Sequence, residues 1–252
     1  INFEHPDLVV KKILRSSISD LICKGVLPKF YFIAGSGNGK TFSKKNLEKI
    51  SKSLEDEQKK YNILLCGGDT TFSNKVSFTL TTIGYSKKII YRNKALINDD
   101  IYVTGNLGDS FMGLQILKNK IKIQKKLSNY FIKKYYQPQV QLELAKKLLN
   151  FANTSIDISD GLIDDLSKMI NNQKLSFSIN ENKIPVSNAL LKIIKQKKMK
   201  KIKLISNGDD YQILFTASSN KSRIIAQTSK NLGIKISKIG KICSNKKRSV
   251  II

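Results

Sequence analysis

The stretch Ser155-Ile-Asp-Ile-Ser-Asp-Gly-Leu162 joins an alternating strand pattern directly to the start of a helix. Side chains alternate between the two faces of a strand, so Asp157 and Ser159 point away from the two isoleucines. Asp160 then opens the helix. Carboxylate and hydroxyl oxygens beside a helix N-terminus suit Mg²⁺ and the phosphate oxygens that it bridges. The alternative is a helix cap and a turn, although an Asp between two isoleucines is costly to bury without a partner.

Similar acidic stretches recur along the chain, all but the first with glycine beside the acid. They are Ser19-Asp20, Gly67-Gly68-Asp69-Thr70-Thr71, residues 105–109 (Gly-Asn-Leu-Gly-Asp) and residues 207–211 (Asn-Gly-Asp-Asp-Tyr). Glycine lets backbone N–H groups approach a phosphate, and the neighbouring carboxylate offers a metal ligand. A tight turn explains any one of them. Together they predict a site for a phosphorylated ligand and a metal ion.

The chain is strongly basic, with a formal net charge of +26 over 252 residues. Such a charge can indicate a nucleic-acid partner. Direct base readout and bidentate phosphate contacts favour arginine, however. The arginines are only Arg15, Arg92, Arg223 and Arg248. We therefore expect the lysines to form a solvated surface that can steer anionic small molecules, and we expect no nucleic-acid partner. A lysine-rich nucleic-acid binder remains the non-enzyme alternative.

The cysteines and the histidine limit the possible chemistry. Cys23, Cys66 and Cys243 form no Cys-x-x-Cys pair, and His5 is the one histidine. A zinc site, a disulfide framework and a Ser-His-Asp triad are therefore not expected. Reduced thiols predict a cytoplasmic protein. No apolar run approaches the ~20 residues of a membrane span, so we expect no membrane partner.

Helix and strand patterns alternate along the chain. Predicted helices cover residues 8–23, 44–60, 138–151, 160–170 and 222–232, and predicted strands cover 30–34, 61–66, 76–85, 89–92, 101–105, 154–159 and 212–217. A polar segment at 93–100 predicts a boundary between a domain at 1–96 and a domain at 97–252. The predicted class is α/β plus α+β with mixed sheets.

Residues 34–41, Ala-Gly-Ser-Gly-Asn-Gly-Lys-Thr, fit a relaxed phosphate-loop pattern with Ala in place of the first Gly. In that interpretation Lys40 holds the β- and γ-phosphates, Thr41 binds Mg²⁺, and Asp69, after the apolar strand, is the metal-binding carboxylate. The pattern leaves the other acidic stretches without a role. A P-loop-type NTPase is therefore an alternative function.

Four stretches, in their order along the chain, resemble the thiamine-monophosphate kinase family. They are Cys66-Gly-Gly-Asp-Thr-Thr71, Asp100-Ile-Tyr-Val-Thr-Gly-Asn-Leu-Gly-Asp109, Ser155-Ile-Asp-Ile-Ser-Asp-Gly-Leu162 and Gly208-Asp-Asp-Tyr-Gln-Ile-Leu-Phe-Thr216. This family belongs to the aminoimidazole ribonucleotide synthetase-like superfamily. The resemblance extends over essentially the whole chain.

The resemblance implies a two-domain fold in which residues 1–96 bind ATP and Mg²⁺ and dimerise through their sheet into a shared barrel. Residues 97–252 would form the α+β domain. It also implies direct in-line transfer of the γ-phosphoryl group of ATP to thiamine monophosphate, giving thiamine diphosphate. Such a reaction depends on positioning and charge neutralisation rather than on a covalent nucleophile.

The resemblance also implies roles for individual residues. The implied Mg²⁺ ligands are Asp20, Asp69, Asp157 and Asp160, of which the first three are the implied catalytic residues. The implied ATP contacts are Gly68, Asp69, Arg92 and Ser159. The implied substrate contacts are Asp209 and Asn2.

This sequence departs from the family pattern at several places. Asp209 stands where the family has Glu, and Asn2 stands where it often has His. Further family segments, with metal ligands at the start and an aromatic substrate contact at the end, are not in this sequence. We expect the chain to be shortened at both ends and inactive if it is truly this short. Another ATP-dependent enzyme of the superfamily is the remaining alternative, although Gly-Gly-Asp at 67–69 differs from the Gly-Gly-Glu of the purine-pathway relative.

Overall fold

Two β-sheets with helices packed on them make up the part of the chain that the computed structural model describes, residues 3–244 and 250–251. The first sheet has three strands in the order β2-β1-β3. Its elements in chain order are α1 (Pro6–Ile22), β1 (Pro28–Gly37), α2 (Lys44–Tyr61), β2 (Leu64–Phe72) and β3 (Ser77–Gly84). β1 and β2 are parallel, and α2 supplies the crossover that parallel neighbours require.

The second sheet has six strands in the order β5-β7-β4-β8-β6-β9. The strands are β4 (Asp100–Thr104), β5 (Thr154–Asp157), β6 (Leu175–Ile179), β7 (Ile213–Ala217), β8 (Ile236–Ser244) and β9 (Val250–Ile251). Only the pair β6–β9 is parallel. The helices of this half are α3 (Asp109–Leu117), α4 (Lys125–Tyr136), α5 (Ala145–Leu148), α6 (Leu162–Met169), α7 (Asn188–Lys197), α8 (Lys201–Ile205) and α9 (Ser222–Leu232).

Helix α1 packs into a core that contains residues from both sheets. Its apolar side chains at 10, 14, 18 and 22 recur at helical spacing and are fully buried. They belong to the same cluster as Tyr31 of β1 and Tyr102 and Phe215 of the six-stranded sheet. A second core contains Ile101 and Leu214 of that sheet with Leu166 of α6. The predicted boundary at 96/97 lies in the connection between β3 and β4, and it stays a prediction.

Several predicted elements differ from the structure. β1 continues to Gly37, three residues beyond its predicted end. β2 is exposed along its whole length and contains Gly67 to Thr71, which we expected to form a loop after a buried strand. The reason is that β1 pairs with this stretch, placing Ile33 opposite Gly68 and Ala34 opposite Asp69. No strand forms at 89–92, and the helix expected over 138–151 is reduced to a short 3₁₀ turn and α5.

The two helices of the first half are joined by a buried ion pair. Arg15 of α1 donates to both carboxylate oxygens of Glu57 in α2 at 2.7 Å, and the two residues are 6% and 2% exposed. Arg15 Nη1 also donates to the carbonyl oxygen of Pro138 at 3.2 Å. One guanidinium group therefore links α1, α2 and the second half of the chain.

Within the described residues, no helix combines the length and the apolar character needed to cross a membrane.

Replacing Glu57 with Ala should lower the free energy of unfolding by about 3–5 kcal/mol, because the Arg15 guanidinium would stay buried without its counter-ion. Urea unfolding monitored by circular dichroism measures this change. Glu55→Ala on the same helix is the matched control. Glu55 pairs with Lys52 and Lys59 on an exposed surface, so its loss should lower the free energy of unfolding far less than the loss of Glu57. Equal effects of the two variants would contradict the role given to the buried pair.

Candidate active site

One side of α1 carries polar residues that contact the loops at the ends of β5 and β7. Ser19 donates its hydroxyl to the carboxylate of Asp157, the last residue of β5. One turn earlier, Ser16 is hydrogen-bonded to Tyr211, in the loop before β7. The spacing of these serines, together with Lys12, follows the helical repeat. The first helix of the chain therefore forms one wall of a site whose other walls come from the second half.

Asp157 and Asp20 form a pair of neighbouring carboxylates. Asp157 is 4% exposed, and burial raises its pKa to about 6. The negative charge of Asp20 raises that pKa further, while the hydrogen bond from Ser19 lowers it. The pKa of Asp20 is also raised by desolvation, and Lys24 partly offsets this shift. Two mutually repelling carboxylates fit a divalent cation, which would relieve the repulsion.

The loop between β5 and α6 is held by a residue that the sequence analysis did not select. Asp165 Oδ2 accepts hydrogen bonds from the backbone N–H groups of Ser159 at 2.9 Å, Asp160 at 2.9 Å and Gly161 at 3.0 Å. The Asp160 side chain is exposed and forms an ion pair with Lys168. The sequence contains one signal for Asp165: an acid four residues after Gly161 is placed to reach back over the first turn of the helix.

The loop before β7 interlocks with the loop after β5. Asp209 N–H donates to the carbonyl oxygen of Ser159 at 2.9 Å, and Tyr211 N–H donates to that of Ile158 at 2.8 Å. Gly208 has φ +63°, and a Cβ atom there would lie 2.0 Å from the Ser159 carbonyl oxygen. Glycine is therefore required at 208 for the two loops to approach each other.

Asp209 is engaged by Lys12 of α1. Lys12 Nζ lies 2.7 Å from Asp209 Oδ1 and 3.4 Å from the centroid of the Tyr135 ring. The Tyr211 hydroxyl donates to the same Asp209 oxygen at 3.2 Å. Burial lowers the pKa of Lys12, and the charge of Asp209 opposes that shift. Lys12 escaped sequence reasoning because it is one of many lysines and its partner lies far along the chain.

The other predicted site residues lie elsewhere. Asp69 is exposed on β2, where its Oδ1 accepts the N–H of Thr70 at 2.8 Å. Gly68 lies against β1, and a Cβ atom there would be 1.8 Å from the Ile33 carbonyl oxygen. Arg92 is exposed in the connection between the sheets. In the described part of the chain, no three His, Cys, Asp or Glu side chains converge in a metal-binding group. Asn2 lies outside the described residues.

Two further predicted acidic positions have structural partners. Asp210 Oδ2 accepts the N–H of Gly108 at 2.8 Å at the start of α3, and burial raises the pKa of Asp210 to about 8. Asp109 accepts hydroxyl hydrogen bonds from Ser187 at 2.6 Å and Tyr130 at 2.8 Å. These acids connect α3, α4 and the loop before β7.

The phosphate-loop alternative does not fit the structure. Residues 34–37 are strand residues that pair with β2, and residues 34–36 also pair with β3. In the turn that follows, Asn38 Oδ1 accepts the N–H groups of Lys40 at 3.0 Å and Thr41 at 3.1 Å. The Thr41 hydroxyl donates to the Asn38 carbonyl oxygen at 2.9 Å. Side chains of this turn therefore satisfy the groups that a phosphate cradle would leave open.

Comparison with known proteins gives a matching family model and several similar sequences. Residues 1–86 match the family model described as AIR synthase related protein, N-terminal domain. Thiamine-monophosphate kinase of Buchnera aphidicola subsp. Schizaphis graminum is 35% identical over 252 residues, which cover 98% of this chain and 76% of that relative. The chain belongs to the thiamine-monophosphate kinase family. The family member from Haemophilus influenzae is 32% identical, covering 94% of this chain and 72% of its own length.

A solved structure of a thiamine-monophosphate kinase shares the fold. AaThiL complexed with AMPPCP and TMP superposes with a TM-score of 0.88 at 24% identity, covering 98% of this chain and 77% of that chain. The predicted aminoimidazole ribonucleotide synthetase-like architecture, with α/β and α+β parts and mixed sheets, is thereby confirmed.

The pKa of Asp157 predicts how stability depends on pH when no divalent cation is present. The ordinary pKa is 3.8 and the folded value is about 6, so the folded protein binds more protons between these values. The free energy of unfolding should therefore fall as pH rises from about 4 to about 6. Asp157→Asn should remove this part of the slope, measured by urea unfolding in EDTA. Asp164→Asn changes an exposed acid on α6 and should leave the slope unchanged. A slope equal in wild type and Asp157→Asn would contradict this assignment.

Proposed function

We propose that the protein transfers the γ-phosphoryl group of ATP to thiamine monophosphate and releases thiamine diphosphate. The observation that carries the proposal is the constellation formed by Asp20, Asp157 and the interlocked loops at 158–161 and 208–211, in a member of this kinase family. The related AaThiL was solved with AMPPCP, an ATP analogue, and with TMP. The activity belongs to thiamine biosynthesis, and we place it in the cytoplasm, where ATP is available and the three free cysteines stay reduced.

The proposed Mg²⁺ ligands on this chain are Asp20, Asp157 and Asp160, with Asp69 as a further ligand from the three-stranded sheet. The cations would neutralise charge on the phosphate oxygens, which is what phosphoryl transfer most requires. Asp157 must lose its proton to serve as a ligand, and its pKa of about 6, although raised by burial, still leaves it mostly ionised at neutral pH. The Asp160 carboxylate is held by Lys168, so it must exchange that partner for a cation.

The remaining predicted contacts have roles in orienting the two substrates. We assign Gly68, Ser159 and Arg92 to the nucleotide and Asp209 to thiamine monophosphate. Lys12 and Tyr211 fix the Asp209 carboxylate from two sides, which defines its position although its side chain is shorter than the Glu of the family. In-line transfer between two oriented phosphates needs no covalent nucleophile. We assign Asn2 to the substrate from the family resemblance alone.

We further propose that two copies associate through the bare face and free edge of the three-stranded sheet. Alternation along β1 turns Tyr31 inward to the helices and Phe32 outward, where it is 42% exposed. β2 is an edge strand, and it exposes Leu64, Leu65 and Phe72. An open strand edge beside apolar side chains is a surface that a protein normally covers. A homodimer built on the sheet satisfies this requirement and matches the barrel that the family resemblance implies.

The kinase reaction is tested with protein expressed from its complete coding sequence. With Mg-ATP and thiamine monophosphate, thiamine diphosphate should appear on chromatography. Asp69→Asn should reduce the rate at least ~100-fold through loss of a metal ligand, comparable to other charge-stabilising groups. Lys40→Ala should keep the wild-type rate, because Lys40 is exposed in a turn that already satisfies its own hydrogen bonds.

The two variants also separate the alternatives. Loss of activity in Lys40→Ala would revive a phosphate-loop enzyme, whatever the effect of Asp69→Asn, because both interpretations give Asp69 a metal-binding role. Binding of ATP by wild type without formation of thiamine diphosphate would reject this acceptor and favour another ATP-dependent enzyme of the superfamily.

The dimer is tested by sedimentation equilibrium at micromolar protein. Phe32→Lys should weaken association at least about tenfold, because an ammonium group would be buried in the interface without a partner. Tyr91→Lys places the same charge on another exposed aromatic position, outside the sheet, and should leave the dissociation constant unchanged. A wild-type protein that sediments as a monomer would refute the proposed dimer.

A further inference from the structure

The carboxylate of Asp165 fills a site that is built for an anion. Three consecutive N–H groups, those of Ser159, Asp160 and Gly161, converge on its Oδ2 atom at 2.9–3.0 Å. Converging N–H groups of this kind at the start of a helix form a nest that binds phosphate or carboxylate groups. Here the anion belongs to the chain itself and is 1% exposed.

Both oxygens of this carboxylate are engaged. Oδ1 accepts from Lys168 Nζ at 3.2 Å, and Lys168 also pairs with the exposed Asp160. The loop that carries three of the proposed ligand residues, Asp157, Ser159 and Asp160, is thus fixed from its helix side by a single buried charge. The same charge contributes to the raised pKa of Asp157.

This arrangement bears on how phosphate can be held. The N–H groups of the loop would otherwise offer a direct binding site for a phosphate of the nucleotide. With Asp165 in that place, this loop presents the Ser159 hydroxyl and the carboxylates of Asp157 and Asp160 to a phosphate, so a cation is needed to offset their repulsion. Removing the negative charge of Asp165 would free hydrogen-bonding capacity of the N–H groups and reduce the repulsion of the incoming phosphate.

We propose that Asp165 is a positioning residue that makes nucleotide binding by this loop depend on the divalent cation. The inference rests on the proposed function, since it assumes that the loop faces the phosphates of ATP. Asp165 acts through the three backbone N–H groups, holding Asp157 and Asp160 in place for the cation and keeping the phosphate out of the nest. A purely structural helix cap would stabilise the fold without favouring one nucleotide form over another.

The test compares ATP affinity in Mg²⁺ with ATP affinity in EDTA, measured by isothermal titration calorimetry on protein from the complete coding sequence. Asp165→Asn keeps the size of the side chain and one acceptor oxygen. We expect its ATP affinity in Mg²⁺ to fall 10–100-fold, the usual effect of losing a residue that orients metal ligands. Its affinity in EDTA should stay equal to wild type or increase.

Asp164→Asn is the matched control, because it removes the same charge one residue earlier from an exposed position of α6. It should leave both affinities within about twofold of wild type, as expected for a screened surface charge. Asp165→Glu restores the charge and should recover part of the Mg²⁺ dependence of ATP affinity. If the role of Asp165 were steric, Asp165→Asn would keep more of this dependence than Asp165→Glu.

Parallel loss of both affinities in Asp165→Asn, or no change in either, would overturn the inference while leaving the kinase proposal intact. An equal effect of Asp164→Asn would also overturn it, by attributing the result to net charge. If Asp165→Glu does not fold, the comparison of Asp165→Asn with Asp164→Asn decides alone. A wild-type protein that binds ATP in neither condition would refute the proposed function itself, and the inference with it.

Discussion

The packing of α1 into the core that the two sheets share is the contact on which the rest of the structure depends. Apolar residues on one side of this helix lie in the same core as Tyr102 and Phe215, and polar residues beside them reach the loops after β5 and before β7. The hydrophobic contact fixes the position of the helix, and this position brings Ser16, Ser19 and Lys12 to these loops. Asp20 meets Asp157 only because this packing holds, so the carboxylate pair depends on a distant apolar core.

The sequence predicts part of this arrangement directly. The helical repeat of α1, the alternation of Asp157 with isoleucines and the order of the acidic stretches are local patterns, and they identified the elements and the family. Exposure of β2 could not be predicted, because a strand that is buried and a strand that is open at an edge have the same apolar composition. The Lys12–Asp209 ion pair depends on chain-distant packing, which leaves no spaced pattern. For Asp165 the spacing from Gly161 was present, but the three N–H groups that it binds depend on loop geometry.

Charge is distributed unevenly in this molecule. The chain as a whole carries +26, yet the described site is lined by Asp20, Asp157, Asp160, Asp165 and Asp209. The basic surface raises the local concentration of phosphorylated molecules, and the acidic centre repels them. Specific binding of a phosphate therefore requires a cation between the phosphate and the carboxylates. Steering of anionic small molecules and selectivity for a metal-bound nucleotide would in this way belong to different parts of the protein.

The shared core also has a consequence for biosynthesis. Val10 and Leu14 of α1 share a core with Phe215 and Ala217, so part of the core around the first helix is completed only roughly 200 residues later, a contact of high sequence separation. Until β7 is made, the part of this core that β7 covers stays open. Folding of the N-terminal half is therefore expected to finish late and together with the C-terminal half, and a ribosome that stalls before β7 would release a chain prone to aggregation.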